Sequence, residues 1–382
     1  MKTYIIVKPE LWLTTSLFGL MREKENKNKA VKLSDVAAQA NVSVVTVSRA
    51  MRMPDLVTPA TRAKVTAAVE ALGYVPNPAA QALASARSRI IGVVIPSLTN
   101  QIFADLLSGV MDGLDATDYT PQFVNTRYTL TGEENLLRIF STQRPAGMIV
   151  SGVDQTAMAR QILMDMGCPV VQVMETSPNP IDMIVGCDQR EAGRAAVHHL
   201  IAKGYRQIGF LGARMDPRAQ RRLAGYRDVM QAEGLAKGEL LVQTTPKPTS
   251  YTVGGQLLSD LLARCPDLDA IFCNNDDVAL GALFECQRRG ISVPEQMGIV
   301  GFNDLDVVSC SVPSITSVRT HRYQTGLTAV QMILAELRGE PGDIRSLDTG
   351  FEVIARQSTD RLGRLDVPPS ANQPVKPKDY HD

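Results

Sequence analysis

The apolar positions change rhythm once along the chain, close to Ile90. Ahead of it the period is helical. Leu33, Val36, Ala37 and Ala40 recur at three- and four-residue spacing, with Ser34 and Asp35 at the start and Asn41, which tolerates left-handed backbone, at the end. Ser43 opens a second helix through Val44, Val47, Ser48 and Ala50, its side-chain oxygen suited to the orphan amides of a first turn. Two short helices joined by so tight a turn predict a helix-turn-helix. Thr58 and Pro59 begin a third helix that Gly73 stops after Leu72. Asn77 and Pro78 then open a small alanine-rich helix over Ala79 to Ala86, inside what is otherwise a linker.

Beyond Ile90, short apolar runs alternate with helical stretches. The runs are Ile90–Ile95, Met148–Val150, Val170–Met174, Ile208–Leu211, Ile271–Cys273 and Ile299–Phe302. Between them lie predicted helices such as Phe103–Leu114, Glu191–Lys203, Leu223–Glu233 and Val278–Arg289. This alternation predicts α/β architecture, with parallel sheets covered by helices, and its length suits two lobes. The expected organisation is an extension over residues 1–29, a head over 30–75, a hinge-helix linker over 76–88, a two-lobed body over 89–360 and a polar, proline-rich, disordered tail over 361–382. Lys2 and Lys8 ahead of an apolar stretch raise the question of a signal peptide, but Pro9 and Glu10 interrupt it and no small-x-small cleavage site follows. Residues 1–20 read instead as an extension, with Met21 the expected start. No run approaches the ~18–20 apolar residues of a membrane helix.

Charge sharpens this division. The chain has 40 basic and 40 acidic residues, which argues against polyanion binding by the whole molecule. Between Lys29 and Arg89, however, eight basic residues face three acidic ones, a net +5 that leaves the remainder acidic. A basic head on an acidic body fits DNA binding confined to one end, against the alternative of chance clustering on a solvated surface. The six cysteines form no C-x-x-C pair, and four sit among apolar residues, as reduced thiols of a cytoplasmic protein do. Four histidines without H-x-x-x-H spacing give no expectation of a metal site, and no cofactor motif is present.

Several motifs in one order now carry a resemblance. Val31-Lys32-Leu33-Ser34-Asp35-Val36-Ala37 runs into Val42-Ser43-Val44-Val45-Thr46-Val47-Ser48-Arg49, followed by Leu72-Gly73-Tyr74-Val75-Pro76-Asn77. Further on come Ile91-Gly92-Val93-Val94-Ile95-Pro96, Leu223-Ala224-Gly225-Tyr226, Asn275-Asp276-Asp277-Val278-Ala279-Leu280-Gly281-Ala282 and Val300-Gly301-Phe302-Asn303-Asp304. This pattern, covering about residues 30 to 360, resembles the LacI/GalR family of repressors. Pro96-Ser97-Leu98-Thr99-Asn100-Gln101 and Phe284-Glu285-Cys286-Gln287-Arg288 resemble most the regulators of gluconate and idonate operons.

The resemblance implies a helix-turn-helix head and a two-lobed, periplasmic-binding-protein-like body. It also implies a homodimer or higher oligomer on palindromic operator DNA, and a small-molecule effector such as a sugar acid. Val44 and Val45 match base-reading positions, with Arg49 one turn on; Ser43, Thr46 and Ser48 suit phosphate contacts. Leu83 matches the leucine that relatives wedge into the minor groove, and Asn77 belongs to the same hinge. In the body Arg222 matches the effector-binding arginine, and Asn275 and Asn303 face the same cleft. Asn303 stands where relatives often carry aspartate, a departure that suits an anion. Ile102 and Phe103 are expected to wall the opposite lobe, and Glu175 to meet ligand hydroxyls. Arg214, Arg218 and Arg221 lie near Arg222, at least two of them expected in a solvated loop. Competing readings are a repressor of a neutral or phosphorylated sugar, a sugar-acid enzyme, and a periplasmic sugar-binding protein. The missing G-x-G-x-x-G and G-x-S-x-G motifs oppose an enzyme, and the head opposes a periplasmic protein.

Overall fold

The computed structural model describes residues 31–75, 88–340 and 342–361. The hinge helix, the amino-terminal extension and the tail expected from the sequence lie outside the described residues, save for Ser88 and Arg361. The chain divides into two compact units, a head ending at Ser85 and a body beginning at Ala86.

Among the described residues the head holds three α-helices, α1 (Leu33–Ala40), α2 (Val44–Arg52) and α3 (Pro59–Leu72). Helix α1 begins one residue earlier than Ser34: the Asp35 carboxylate accepts the Lys32 amide at 2.8 Å. Asn41 ends it in the left-handed region at φ 52°, which turns the chain into α2. Ser43 caps α2 by accepting the Thr46 amide at 3.1 Å, and Thr58 caps α3 by accepting the Thr61 amide. Val36, Ala37, Ala40, Val47, Ala50, Val65 and Ala68 meet in the small core. Small residues there let short helices approach closely.

The body contains two six-stranded sheets. The first joins β1 (Ile90–Ile95), β2 (Thr120–Asn125), β3 (Gly147–Ser151), β4 (Val170–Val173), β5 (Met183–Gly186) and β11 (Ser346–Asp348) in the order β11-β5-β4-β3-β1-β2, all parallel. The second joins β6 (Ile208–Ala213), β7 (Val242–Thr245), β8 (Ala270–Cys273), β9 (Gly298–Asn303), β10 (Thr316–Thr320) and β12 (Phe351–Ile354) in the order β12-β10-β9-β8-β6-β7, with only β12 antiparallel. Central strands such as Ile91–Ile95 and Ile208–Ala213 are buried throughout, as strands covered on both faces must be. Helices α4 (Ala104–Leu114), α5 (Leu130–Gln143) and α6 (Ala157–Asp165) belong to the first lobe. The second has α7 (Gln189–Ala202), α8 (Pro217–Ala232), α9 (Tyr251–Arg264), α10 (Asp276–Arg289) and α11 (Asp306–Cys310). Helix α12 (Arg322–Arg338) follows β10 yet packs against α4 of the first lobe, where Gly326 and Gly109 bring the two backbones together.

The chain therefore passes between the lobes three times, after β5, after β10 and after β11. Each sheet presents its strand carboxyl ends to the crevice between them, the place where open parallel sheets bind ligands. The cysteines are free thiols, five buried and Cys310 exposed. Among the described residues no helix is long and apolar enough to cross a membrane, and no group of His, Cys, Asp and Glu is placed to hold a metal ion.

Candidate DNA-reading helix and effector cleft

Helix α2 separates its valines by role. Val47 is fully buried in the head core, whereas Val45 is 65% exposed and Val44 is also exposed. Arg49 lies one turn beyond Val45 on the same solvent-facing side, and Ser48 is half-buried. One face of the helix thus joins apolar side chains to a guanidinium, and nothing in the head core requires either valine to be there. Ser43 caps the helix as its side chain suggested: its oxygen accepts the Thr46 amide, and its hydroxyl lies 2.8 Å from that of Thr46. Its first task is to start the helix that carries the others. Asn77 and Leu83 lie outside the described residues.

In the body, α8 supplies the chemistry. Asp216 caps it by accepting the Ala219 amide at 3.0 Å, and Pro217 starts it six residues ahead of the expected Leu223. That earlier turn sets Arg218 and Arg222 on one face. Arg222 is 7% exposed; its Nε donates to Gln189 Oε1 at 2.8 Å, its Nη1 donates to the Asn274 carbonyl at 2.6 Å, and its plane lies 3.6 Å from the Phe302 ring centroid. All these partners are neutral. Burial draws its pKa down to about 10. Gln189 is itself fixed by donating to the Met174 carbonyl of the first lobe at 2.8 Å.

Arg222 lines a cleft with Ile102, Asn100 and Tyr128 of the first lobe and with Asn275, Asn303, Thr249 and Asp277 of the second, among others. The cavity at its centre is about 30 Å³. Asn275 caps α10 through Val278, and Asn303 ends β9 at φ 108°, a backbone region few side chains adopt. The Asn303 carbonyl accepts from Arg322, which also pairs with Asp105 of the first lobe at 2.7 Å. Asp276, fully buried, accepts Ser317 Oγ at 2.6 Å and the Leu305 amide at 2.7 Å; burial raises its pKa to about 7. Burial also raises that of Asp277.

Four of the six expected cleft residues, Ile102, Arg222, Asn275 and Asn303, come together here. The other two are buried beside it. Phe103 lies fully buried in the first-lobe core, its ring centroid 5.7 Å from the Arg218 guanidinium. Glu175 is 2% exposed and holds Arg221 at 2.7 Å; burial is the main force raising its pKa, against the nearby Arg218 and Arg221. The neighbouring arginines are not a solvated loop. Arg221 forks onto Asp154 at 2.6 and 2.8 Å, Arg218 crosses to Ser151 Oγ at 3.1 Å, and Arg214 lies 4.0 Å from the Tyr128 ring centroid. Sequence reasoning passed over Asn100, Tyr128, Thr249 and Asp277; the signals available were the positions of Asn100 two residues before Ile102 and of Asp277 two residues after Asn275.

A helix-turn-helix head with an exposed valine-and-arginine face, joined to a two-lobed body with a charged cleft, defines a DNA-binding transcriptional regulator. Residues 32–77 match the family described as "Bacterial regulatory proteins, lacI family", and residues 197–359 match the periplasmic binding protein-like domain. The HTH-type transcriptional regulator GntR of Pseudomonas aeruginosa is 39% identical over 327 residues, 86% of this chain and 95% of that protein. A LacI-family transcriptional regulator from Silicibacter pomeroyi aligns with TM-score 0.80 at 33% identity, covering 86% of this chain and 99% of that one. The lac repressor dimer bound to operator aligns with TM-score 0.75 at 25% identity, covering 87% and 99%. The chain belongs to the LacI family of bacterial regulatory proteins.

Proposed function

We propose that the chain is a cytoplasmic, non-catalytic repressor that binds palindromic operator DNA as a homodimer, and that a sugar acid such as gluconate in the cleft controls its grip. The observation that carries the effector reading is Arg222: a buried guanidinium held by neutral partners has a desolvated charge that an anion would satisfy. A carboxylate matches its fork, while Asn275, Asn303 and Thr249 offer hydrogen bonds to hydroxyls of a polyol chain. On the head, Arg49 pairs with guanine, worth about 1–3 kcal/mol of discrimination. Val44 and Val45 pack on thymine methyls, and Ser43, Thr46 and Ser48 touch phosphates. Asn77 and Leu83 keep the hinge roles implied by the sequence, with Leu83 as a minor-groove wedge. The effector acts only by preferring one lobe arrangement over the other.

The test is Arg222→Gln. The variant is expected to bind operator while losing release by gluconate. Release at the parent's concentration would remove Arg222 from the site.

A further inference from the structure

Three guanidiniums line the cleft, those of Arg214, Arg218 and Arg222. Among the described residues none of them pairs with a carboxylate. Arg218 is buried and donates to the Ser151 hydroxyl, and its guanidinium lies 5.7 Å from the Phe103 ring centroid. Arg222 has its neutral cradle. Arg214 stacks on Tyr128, and its buried Nε has no partner. The contrast is Arg221, adjacent to Arg222 in the chain, which takes two carboxylates, Asp154 and Glu175. Carboxylates are thus within reach of this helix, yet among the described residues none makes an ion pair with the three arginines that face the cleft; Glu175 acts on Arg218 and Arg222, and Asp216 on Arg222, only at longer range.

The three aspartates of the lining do not fill that role. Asp216 is committed to the cap of α8, Asp276 to Ser317 and Leu305, and Asp277 to Thr249. Burial raises the pKa of Asp276 to about 7, which lowers the negative charge it carries near neutrality, and raises that of Asp277 as well. The cationic groups also fall into two places. Arg218 and Arg222 are one turn apart on α8, so one anion can meet both. Arg214 sits in the loop ahead of the helix, with its backbone in the left-handed region at φ 60° and its amide donating to the Lys247 carbonyl.

Resting on the sugar-acid reading, we propose that the cleft selects a polyhydroxy acid with two anionic groups. Arg218 and Arg222 hold a carboxylate, and Arg214 holds a second carboxylate or a phosphate. Each added charge-assisted contact strengthens binding by roughly tenfold to a hundredfold.

Calorimetry of the full chain with gluconate, glucarate and 6-phosphogluconate, at one pH and ionic strength, tests this. At least one of the two acids with a second anionic group is expected to bind about tenfold or more tighter than gluconate, and which one leads tells a carboxylate from a phosphate. Arg214→Gln, with its folding checked by calorimetric unfolding, is expected to collapse that ratio. Gluconate binding as tightly as both of these acids overturns the proposal, as does a ratio that survives Arg214→Gln. If none of the three binds, the sugar-acid reading itself falls, a failure distinct from gluconate binding alone.

Discussion

Replacing Asp276 by asparagine tests the electrostatics of the cleft floor. The carboxyl is fully buried and accepts two donors, Ser317 Oγ and the Leu305 amide, and burial lifts its pKa from 3.8 to about 7. Below the lower value both folded and unfolded chains hold the proton, and no penalty exists. Between the two values the unfolded chain sheds a proton that the folded chain keeps, so stability falls as pH rises, and the loss is complete above the folded value. At about 1.4 kcal/mol per pH unit the full cost is roughly 4 kcal/mol, of which about 3 kcal/mol develops between about pH 5 and pH 8. Asparagine keeps the shape. Its oxygen can accept the Leu305 amide and its NH2 can donate to Ser317 Oγ, so both contacts survive without a charge. Scanning calorimetry of the parent and Asp276→Asn across that range should show the variant gaining about 3 kcal/mol on the parent, near 6 °C at about 2 °C per kcal/mol for a body of this size. Parallel melting curves would refute the reasoning, because they would mean that the folded and unfolded carboxyls titrate alike.

Arg49→Ala should remove most discrimination between operator and unrelated DNA, roughly tenfold to a hundredfold, read by competition footprinting; an unchanged footprint would clear it of base reading. Ser43→Ala should cost the head about 1 kcal/mol through the lost cap of α2, measurable as a lower melting point of the head, whereas an unchanged melt would show that the cap contributes nothing. Gly326→Ala places a Cβ 2.2 Å from the Leu106 carbonyl and should destabilise the body by about 1–3 kcal/mol or more, with a full-stability variant contradicting the close packing of α12 on α4.

What could be read ahead of the structure followed periodicity. The head helices and the central strands Ile90–Ile95, Ile208–Leu211 and Ile299–Phe302 carry strong local patterns, and their positions hold to within one or two residues. Edge strand Thr120–Asn125 contains a proline and is partly exposed, so it offers no comparable run. The start of α8 was hidden because its first turns, Pro217, Arg218, Ala219, Gln220 and Arg221, are mostly polar and look like a loop until Asp216 is seen to cap them. Ile102 and Phe103 are both large and apolar, and only the structure shows that Ile102 lines the cleft while Phe103 lies buried in the first-lobe core. Tyr128 and Thr249 come from loops, and the Arg221 partners Asp154 and Glu175 are 67 and 46 residues away, a distance no local pattern spans. Resemblance located Arg222, but the neutral cradle that makes it attractive to anions needed three dimensions.

The most direct test is fluorescence anisotropy of the full chain against labelled palindromic DNA from its own genome, with and without a sugar acid. The account predicts sequence-selective binding in the range of about 10⁻⁸–10⁻¹¹ M at physiological salt, weakened tenfold or more when the acid fills the cleft. One isotherm for every fragment, unmoved by gluconate, glucarate or 6-phosphogluconate, would contradict it.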